Sequence, residues 1–308
     1  EAWRRTYLGY AAELTGEYSE AVAHYQAALA IDPLFRWAHF RLPLALLRLE
    51  QCDEAIRAAE ATVSRWPGDA AMHWLLGRCL LQAGRRDEAA SRFRSSLHLD
   101  PNAAQPRRGL WEALRDGGPA VLEEQLAGLP AVARAVALWW FGEWWREEGD
   151  MESAVAAWKA AAAADPADPD PHIRLAQAAL EAGDQEGAWH HGVEALLRDS
   201  TLPDLLADLL ERTDPATAAA ALSAAVERVG DSRRNLRAGL LYLVGECWRK
   251  MGRFREAVAT WERAVADYPL QRGAAWRLAQ VYRTRNACQK VVDLLAPLDE
   301  EGRLPTDK

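Results

Sequence analysis

The apolar, small and turn-forming residues of this chain recur in groups, and the groups return at a fixed interval. Prolines that close a short acidic or aromatic turn mark the interval. Asp32-Pro33, Trp66-Pro67 and Asp100-Pro101 follow one another at an equal spacing of about 34 residues. Asp165-Pro166 comes close to two such intervals later, and Tyr268-Pro269 close to three after that. Between the prolines the same residue types fall at the same offsets. Leu8-Gly9, Gly16, Tyr18, Ala21, Tyr25, Ala28 and Pro33 are matched by Leu76-Gly77, Gly84, Ala89, Phe93 and Pro101. Two further copies are Phe141-Gly142, Trp145, Gly149, Ala154, Trp158, Ala161 and Pro166, and Val244-Gly245, Trp248, Gly252, Phe254, Ala257, Trp261, Ala264 and Pro269.

The offsets have physical meaning if each unit is a pair of helices. The Leu-Gly step lies inside the first helix, where a residue without a side chain lets the second helix approach, despite a propensity cost of about 1 kcal/mol against Ala. The later glycine (Gly16, Gly84, Gly149, Gly183, Gly252) stands where the first helix stops and a left-handed residue is favoured. The small Ala21, Ala55, Ala89, Ala154, Ala188 and Ala257 let two helices cross, the residue four positions on fills the gap, and proline ends the second helix. Each unit leaves an apolar face that only its neighbours can cover.

In these residues the chain resembles the tetratricopeptide-repeat family, whose unit is a helix–turn–helix of about 34 residues. The resemblance implies an all-α, right-handed superhelical solenoid of about eight to nine helical pairs. It would occupy residues 1–299, with clear repeats at 2–35, 70–103, 135–168 and 238–271 and degenerate ones at 36–69, 104–134, 169–202, 203–237 and 272–299; residues 300–308 read as a tail. The degenerate units depart in defined ways. Pro43 and Trp111 replace the helix glycine, Ser200 replaces the closing proline, and Pro43 should kink its helix.

Composition narrows the function. Apolar residues make up 50% of the chain and charged residues 27%. Alanine and arginine are abundant, a globular, helix-favouring mix that suggests a bacterial source. The net charge of −8, with both signs interspersed, argues against nucleic acid, which calls for clustered Lys and Arg. The most apolar run, Ala131–Trp145, is broken by Arg134, Gly142 and Glu143 and is too short to span a bilayer. The first residue is Glu1, not Met, which leaves a lost leader or attached domain open. Cys52, Cys79, Cys247 and Cys288 show no CxxC spacing and read as buried thiols in a reducing, cytoplasmic setting; periplasmic or secreted placement stays open.

The family resemblance implies that positions 2, 5, 9 and 12 of each unit face a concave groove. Trp3 and Trp37 stand at position 2; Phe40, Trp74, Arg108, Trp139, Tyr242 and Trp276 at position 5; Tyr10, Arg78, Glu143 and Glu246 at position 9; Arg146 and Arg249 at position 12. Aromatics offer large contact area at low entropy cost, and Glu143–Arg146 and Glu246–Arg249 are spaced to pair on a helix. The same rings could instead pack between neighbouring first helices. The carboxylate clamp of chaperone-binding members needs Lys and Asn at positions 5 and 9 of the first unit; Thr6 and Tyr10 stand there, which argues against that mode.

His39, His73 and His172 occupy position 4, too far apart in successive units to share a metal ion, and read as core-facing; His190 and His191 should point apart. No phosphate-binding loop, nucleophile elbow, HExxH or dinucleotide glycine pattern is present, so neither cofactor, metal site nor catalytic set is expected. The reading is a scaffold or adaptor that holds a protein or peptide in an aromatic-lined groove, as a subunit of a larger complex. The alternative is a regulatory or substrate-recruiting module of an enzyme whose catalytic part lies elsewhere. Self-association through the array ends is a further expectation.

Overall fold

A computed structural model describes residues 1–199, 201–230 and 233–300, and the description is helical throughout. Ser200, at the replaced closing proline, and the expected tail from 301 onward lie outside the described residues. The chain divides into two compact units, the first ending at Asp165 and the second beginning at Pro166.

The first unit comprises α1 (Ala2–Thr15), α2 (Tyr18–Ile31), α3 (Arg36–Arg48), α4 (Cys52–Arg65), α5 (Ala70–Gln82), α6 (Arg86–Leu99), α7 (Ala104–Leu114), α8 (Gly118–Gln125), α9 (Ala131–Glu148) and α10 (Met151–Ala164). They pack as antiparallel pairs, α1 on α2, α3 on α4, α5 on α6 and α9 on α10. Three second helices also cover the next first helix, α2 against α3, α4 against α5 and α6 against α7. The motif explains the pairing. Ala21, Ala55, Ala89 and Ala154 are fully buried at the crossings, with Tyr25, Phe93 and Trp158 filling the space beside them. First helices end where the sequence places glycine: Gly16, Gly84 and Gly149 have φ of 84°, 78° and 84°, conformations that side chains resist.

Two degenerate units deviate instructively. α3 runs Arg36–Arg48 without a break at Pro43, which is buried inside it. In the unit 104–134 the second helix shrinks to the eight residues of α8, because Gly117, Gly118 and Pro119 interrupt its start and Gly128 turns at φ 86° beyond its end. There Trp111, on the first helix, is itself buried, its ring against Trp144 and Trp145 of α9.

The second unit comprises α11 (Asp170–Ala182), α12 (Gln185–Arg198), α13 (Pro203–Arg212), α14 (Pro215–Arg228), α15 (Arg234–Lys250), α16 (Phe254–Asp267), α17 (Arg272–Thr284) and α18 (Cys288–Glu300). Its core gathers Trp189, Leu209, Leu222, Leu241, Val244, Trp261 and Leu278. Carboxylate caps start α12 and α14. Asp184 accepts from the Gly187 amide at 2.9 Å, and Asp214 from the Ala216 and Thr217 amides. Glu194 ties α12 to α14 through Arg228 and pairs with Arg198 on its own helix, each at 2.7 Å. Burial raises its pKa, but the two guanidiniums outweigh that and hold the carboxyl at about 2.

Candidate functional site: an aromatic face on the first helices

In the first unit, the sequence-selected aromatics of α1, α3 and α5 lie on one face. Trp3 and Tyr7, one helical turn apart, stack at 5.4 Å between ring centroids. Trp37 meets Trp3 at 5.9 Å, Tyr7 at 5.1 Å and Tyr10 at 5.8 Å. Phe35, in the turn before α3, adds an edge contact with Trp3 at 5.3 Å. Phe40 continues the series by stacking on Trp74 at 6.0 Å. Trp3, Phe35, Trp37 and Phe40, with Arg36, Arg41, Ala71 and Met72, enclose a depression of about 610 Å³.

Cations lie along this face, and each is engaged. Arg41 sits over the Tyr10 ring at 4.5 Å and pairs with Glu13 at 3.1 Å. Arg78 lies over Trp74 at 5.6 Å, and Arg36 pairs with Asp69. Burial raises the pKa of Glu13 while Arg41 pulls it down. Further along, Arg108 lies over both Trp111 and Trp144, at 4.7 and 4.8 Å, and pairs with Glu112 at 2.9 Å. These geometries suit cation–π attraction.

The remaining selected residues are placed differently. Trp139 is half-buried and meets Trp140 edge-on at 5.1 Å. Glu143 is buried, only 5% exposed, beneath Arg146 at 3.1 Å, so it supports the face without being displayed. In the second unit Tyr242 is half-buried against the core, its ring over Gly273. Burial, then the charge of Glu246, raises its hydroxyl pKa against the pull of Arg277. Glu246 accepts from Arg249 at 3.0 Å and from Arg277 at 2.9 and 3.0 Å. Trp276 stands 52% exposed on α17.

Thr6, at position 5 of the first unit, is buried and donates its hydroxyl to the Ala2 carbonyl at 3.0 Å. Sequence reasoning missed Tyr7, Phe35, Arg41 and Arg277. Tyr7 was visible as an aromatic one turn from Trp3, whereas the other three join the site only through contacts between neighbouring repeats. His73 and His172 are buried and His39 is half-buried, while the expectation that His190 and His191 point apart is corrected. His39 and His73 meet the carbonyls of Pro33 and Pro67 at 2.9 Å. His191 turns toward His172, Nδ1 to Nδ1 at 3.2 Å, and its ring lies 5.0 Å from that of His190. Adjacent helix residues point about 100° apart, but large rings can still converge beside a crossing helix. Among the described residues, no group of three His, Cys, Asp or Glu could hold a metal ion, and no helix is long and apolar enough to cross a membrane.

Sequence profiles of the Tetratricopeptide repeat match residues 5–35, 41–104 and 249–289. The chain belongs to the tetratricopeptide-repeat family. Repeats of this family generally build non-catalytic protein-interaction scaffolds. It is similar to the Hsp70-Hsp90 organizing protein of Triticum aestivum, 30% identical over 105 residues, 34% of this chain and 18% of that protein; the chain thus spans under a fifth of that relative's length. Among solved structures, the P58(IPK) TPR domain is 17% identical, covering 97% of this chain and 92% of that one, with a TM-score of 0.33. A tetratricopeptide repeat protein from Parabacteroides merdae is 14% identical over 87% and 93%, with a TM-score of 0.35.

Proposed function

We propose that the aromatic face of α1, α3 and α5 binds an extended or helical segment of a partner protein, its apolar side chains seated in the depression beside Trp3. The carrying observation is that Trp3 and Tyr7 are 58% and 56% exposed while stacked on one another. Folding alone gives no reason to display two ordered rings, and aromatic patches of this kind mark interaction sites. Arg36 and Arg41 stand beside the rings already paired with carboxylates, so they orient a ligand more than they attract it, and Arg78 lies over the Trp74 ring. The chaperone relative does not extend the reading to chaperone C-termini, because the clamp positions hold a buried Thr6 and a Tyr10 covered by Arg41.

Affinity capture from native lysate tests the reading, comparing the parent chain with a Trp3→Ala/Tyr7→Ala variant of matched helical content. A partner bound by the parent and lost from the variant supports it. Retention of the same partner by the variant moves the function to another surface.

A further inference from the structure

His172 on α11 and His191 on α12 bring their Nδ1 atoms to 3.2 Å, and the repeat pattern does not ask for this pair. His39 and His73 hold the place of His172 in their own repeats. Each turns Nε2 to a proline carbonyl, Pro33 or Pro67, at 2.9 Å. The corresponding carbonyl before α11, that of Pro166, accepts from Nε of Arg198 at 2.7 Å, and His172 turns to His191. The residues aligned with His191 in the repeats of His39 and His73 are Ala58 and Arg92. The spacing of the two nitrogens has a chemical meaning. Two nitrogens held about 2.0–2.1 Å from one ion at a tetrahedral angle stand about 3.3 Å apart, close to the separation found here. Two N–H groups cannot face each other at this distance, so at least one nitrogen of the pair offers a lone pair. Histidine χ2 is soft, and a small turn of each ring aims both lone pairs at one point. His172 is buried, His191 half-buried and the neighbouring His190 exposed. The pair therefore sits where packing holds the rings and solvent is near enough for an ion to enter.

We propose that His172 and His191 chelate one divalent transition ion of the class of Zn2+, Ni2+ and Cu2+, joining the two helices of their repeat. Each ring coordinates through Nδ1 and carries its proton on Nε2. The ion takes the place of the proton that bridges the two nitrogens in its absence. Imidazole suits these ions, whereas Ca2+ and Mg2+ take oxygen ligands. Among the described residues no third His, Cys, Asp or Glu completes the set, so water fills the remaining positions. Glu194, one turn beyond His191, stays outside the coordination sphere because Arg198 and Arg228 hold it, each at 2.7 Å. Its charge, with that of Asp168, acts on His172 against that of Arg198, so the dication does not enter a field of uniformly positive sign. A bound ion binds the folded pair and not the unfolded chain, and it stabilises the second unit by that difference. The site shares no residue with the aromatic face of the first unit.

Calorimetric titration of ZnCl2 into the whole chain, untagged and stripped of metal, tests the proposal. The parent should bind one equivalent, and excess zinc should raise its melting temperature. His172→Gln and His191→Gln, with helical content checked by circular dichroism, should each weaken that binding about tenfold or more and remove the thermal shift. His190→Gln should bind as the parent does. The parent loaded with one equivalent of Cu2+ should show two imidazole nitrogens by electron paramagnetic resonance, a reading that needs no variant to fold. A parent that binds no equivalent of zinc overturns the proposal, and so does a Gln variant at His172 or His191 with undiminished affinity. A copper spectrum with fewer than two imidazoles overturns it independently. Loss of binding in His190→Gln would show that the ligand pair is not the one assigned.

Discussion

Gly77 on α5 faces Phe93 on α6 so closely that a Cβ on the glycine would lie 2.7 Å from the ring's Cε1. Gly109 on α7 closes on the same ring from the neighbouring repeat. One phenylalanine thus locks three helices, and the two glycines are the condition for it. Gly77→Ala should destabilise the chain by about 1–3 kcal/mol through overpacking, less about 1 kcal/mol regained in helix propensity. Urea unfolding of Gly77→Ala, Phe93→Leu and the double variant checks this. The double variant should cost less than the sum of the two, because the smaller side chain makes room for the new methyl.

Ala154, fully buried where α10 crosses α9, offers a second probe of the packing. Ala154→Trp should lower stability by about 1–3 kcal/mol or more, since a full indole has no space at the crossing. An unchanged melting temperature would refute the crossing.

Trp3 and Trp139 should separate binding from folding. Trp3 carries a ring that is 58% exposed. Trp3→Ala should therefore change stability by no more than about 0.5 kcal/mol, while weakening partner binding about tenfold or more. Trp139→Ala should cost stability as well, because that ring is half-buried. Parallel thermal melts and binding titrations decide between the roles.

Glu246 joins α15 to α17 through the guanidinium of Arg277 and also pairs with Arg249 on its own helix. Its side chain is 13% exposed and Arg277's 33%. Glu246→Gln should cost about 1–2 kcal/mol, and a double-mutant cycle with Arg277→Gln should return a coupling of about 1 kcal/mol.

His172 makes the second unit sensitive to acid. Burial, then the nearby cation of Arg198 and the ring of His190, lower its pKa, against the pull of Glu194 and Asp168. The unfolded chain therefore takes up this proton more readily than the folded one. The stability involved is complete above the ordinary histidine value of about 6.5 and is lost as pH falls below it. The melting-temperature gap between parent and His172→Gln should shift against the parent between pH 7.5 and 5.5. A gap independent of pH would contradict this.

The repeat, its phase and the pairing of helices were legible in the chain because each depends on local residue type at fixed spacing. A left-handed glycine at Gly149, an alanine at the Ala154 crossing and an aromatic at Trp158 hold the same roles wherever they recur. The ion pairs within a helix, Glu143–Arg146 and Glu246–Arg249, were legible for the same reason. The structure decided which selected residues are displayed. Trp3 and Trp74 were both selected as groove positions, yet the Trp3 ring stays 58% exposed beside Tyr7, Phe35 and Trp37 while the Trp74 ring is capped by Arg78 and stacked on Phe40. Exposure depends on what the neighbouring repeat brings to the same space, and a repeat pattern read one unit at a time contains no record of that neighbour. The meeting of Arg41 with Glu13, of Arg277 with Glu246 and of His172 with His191 belongs to the same class: contacts between helices, settled by the packing angle and not by spacing along the chain.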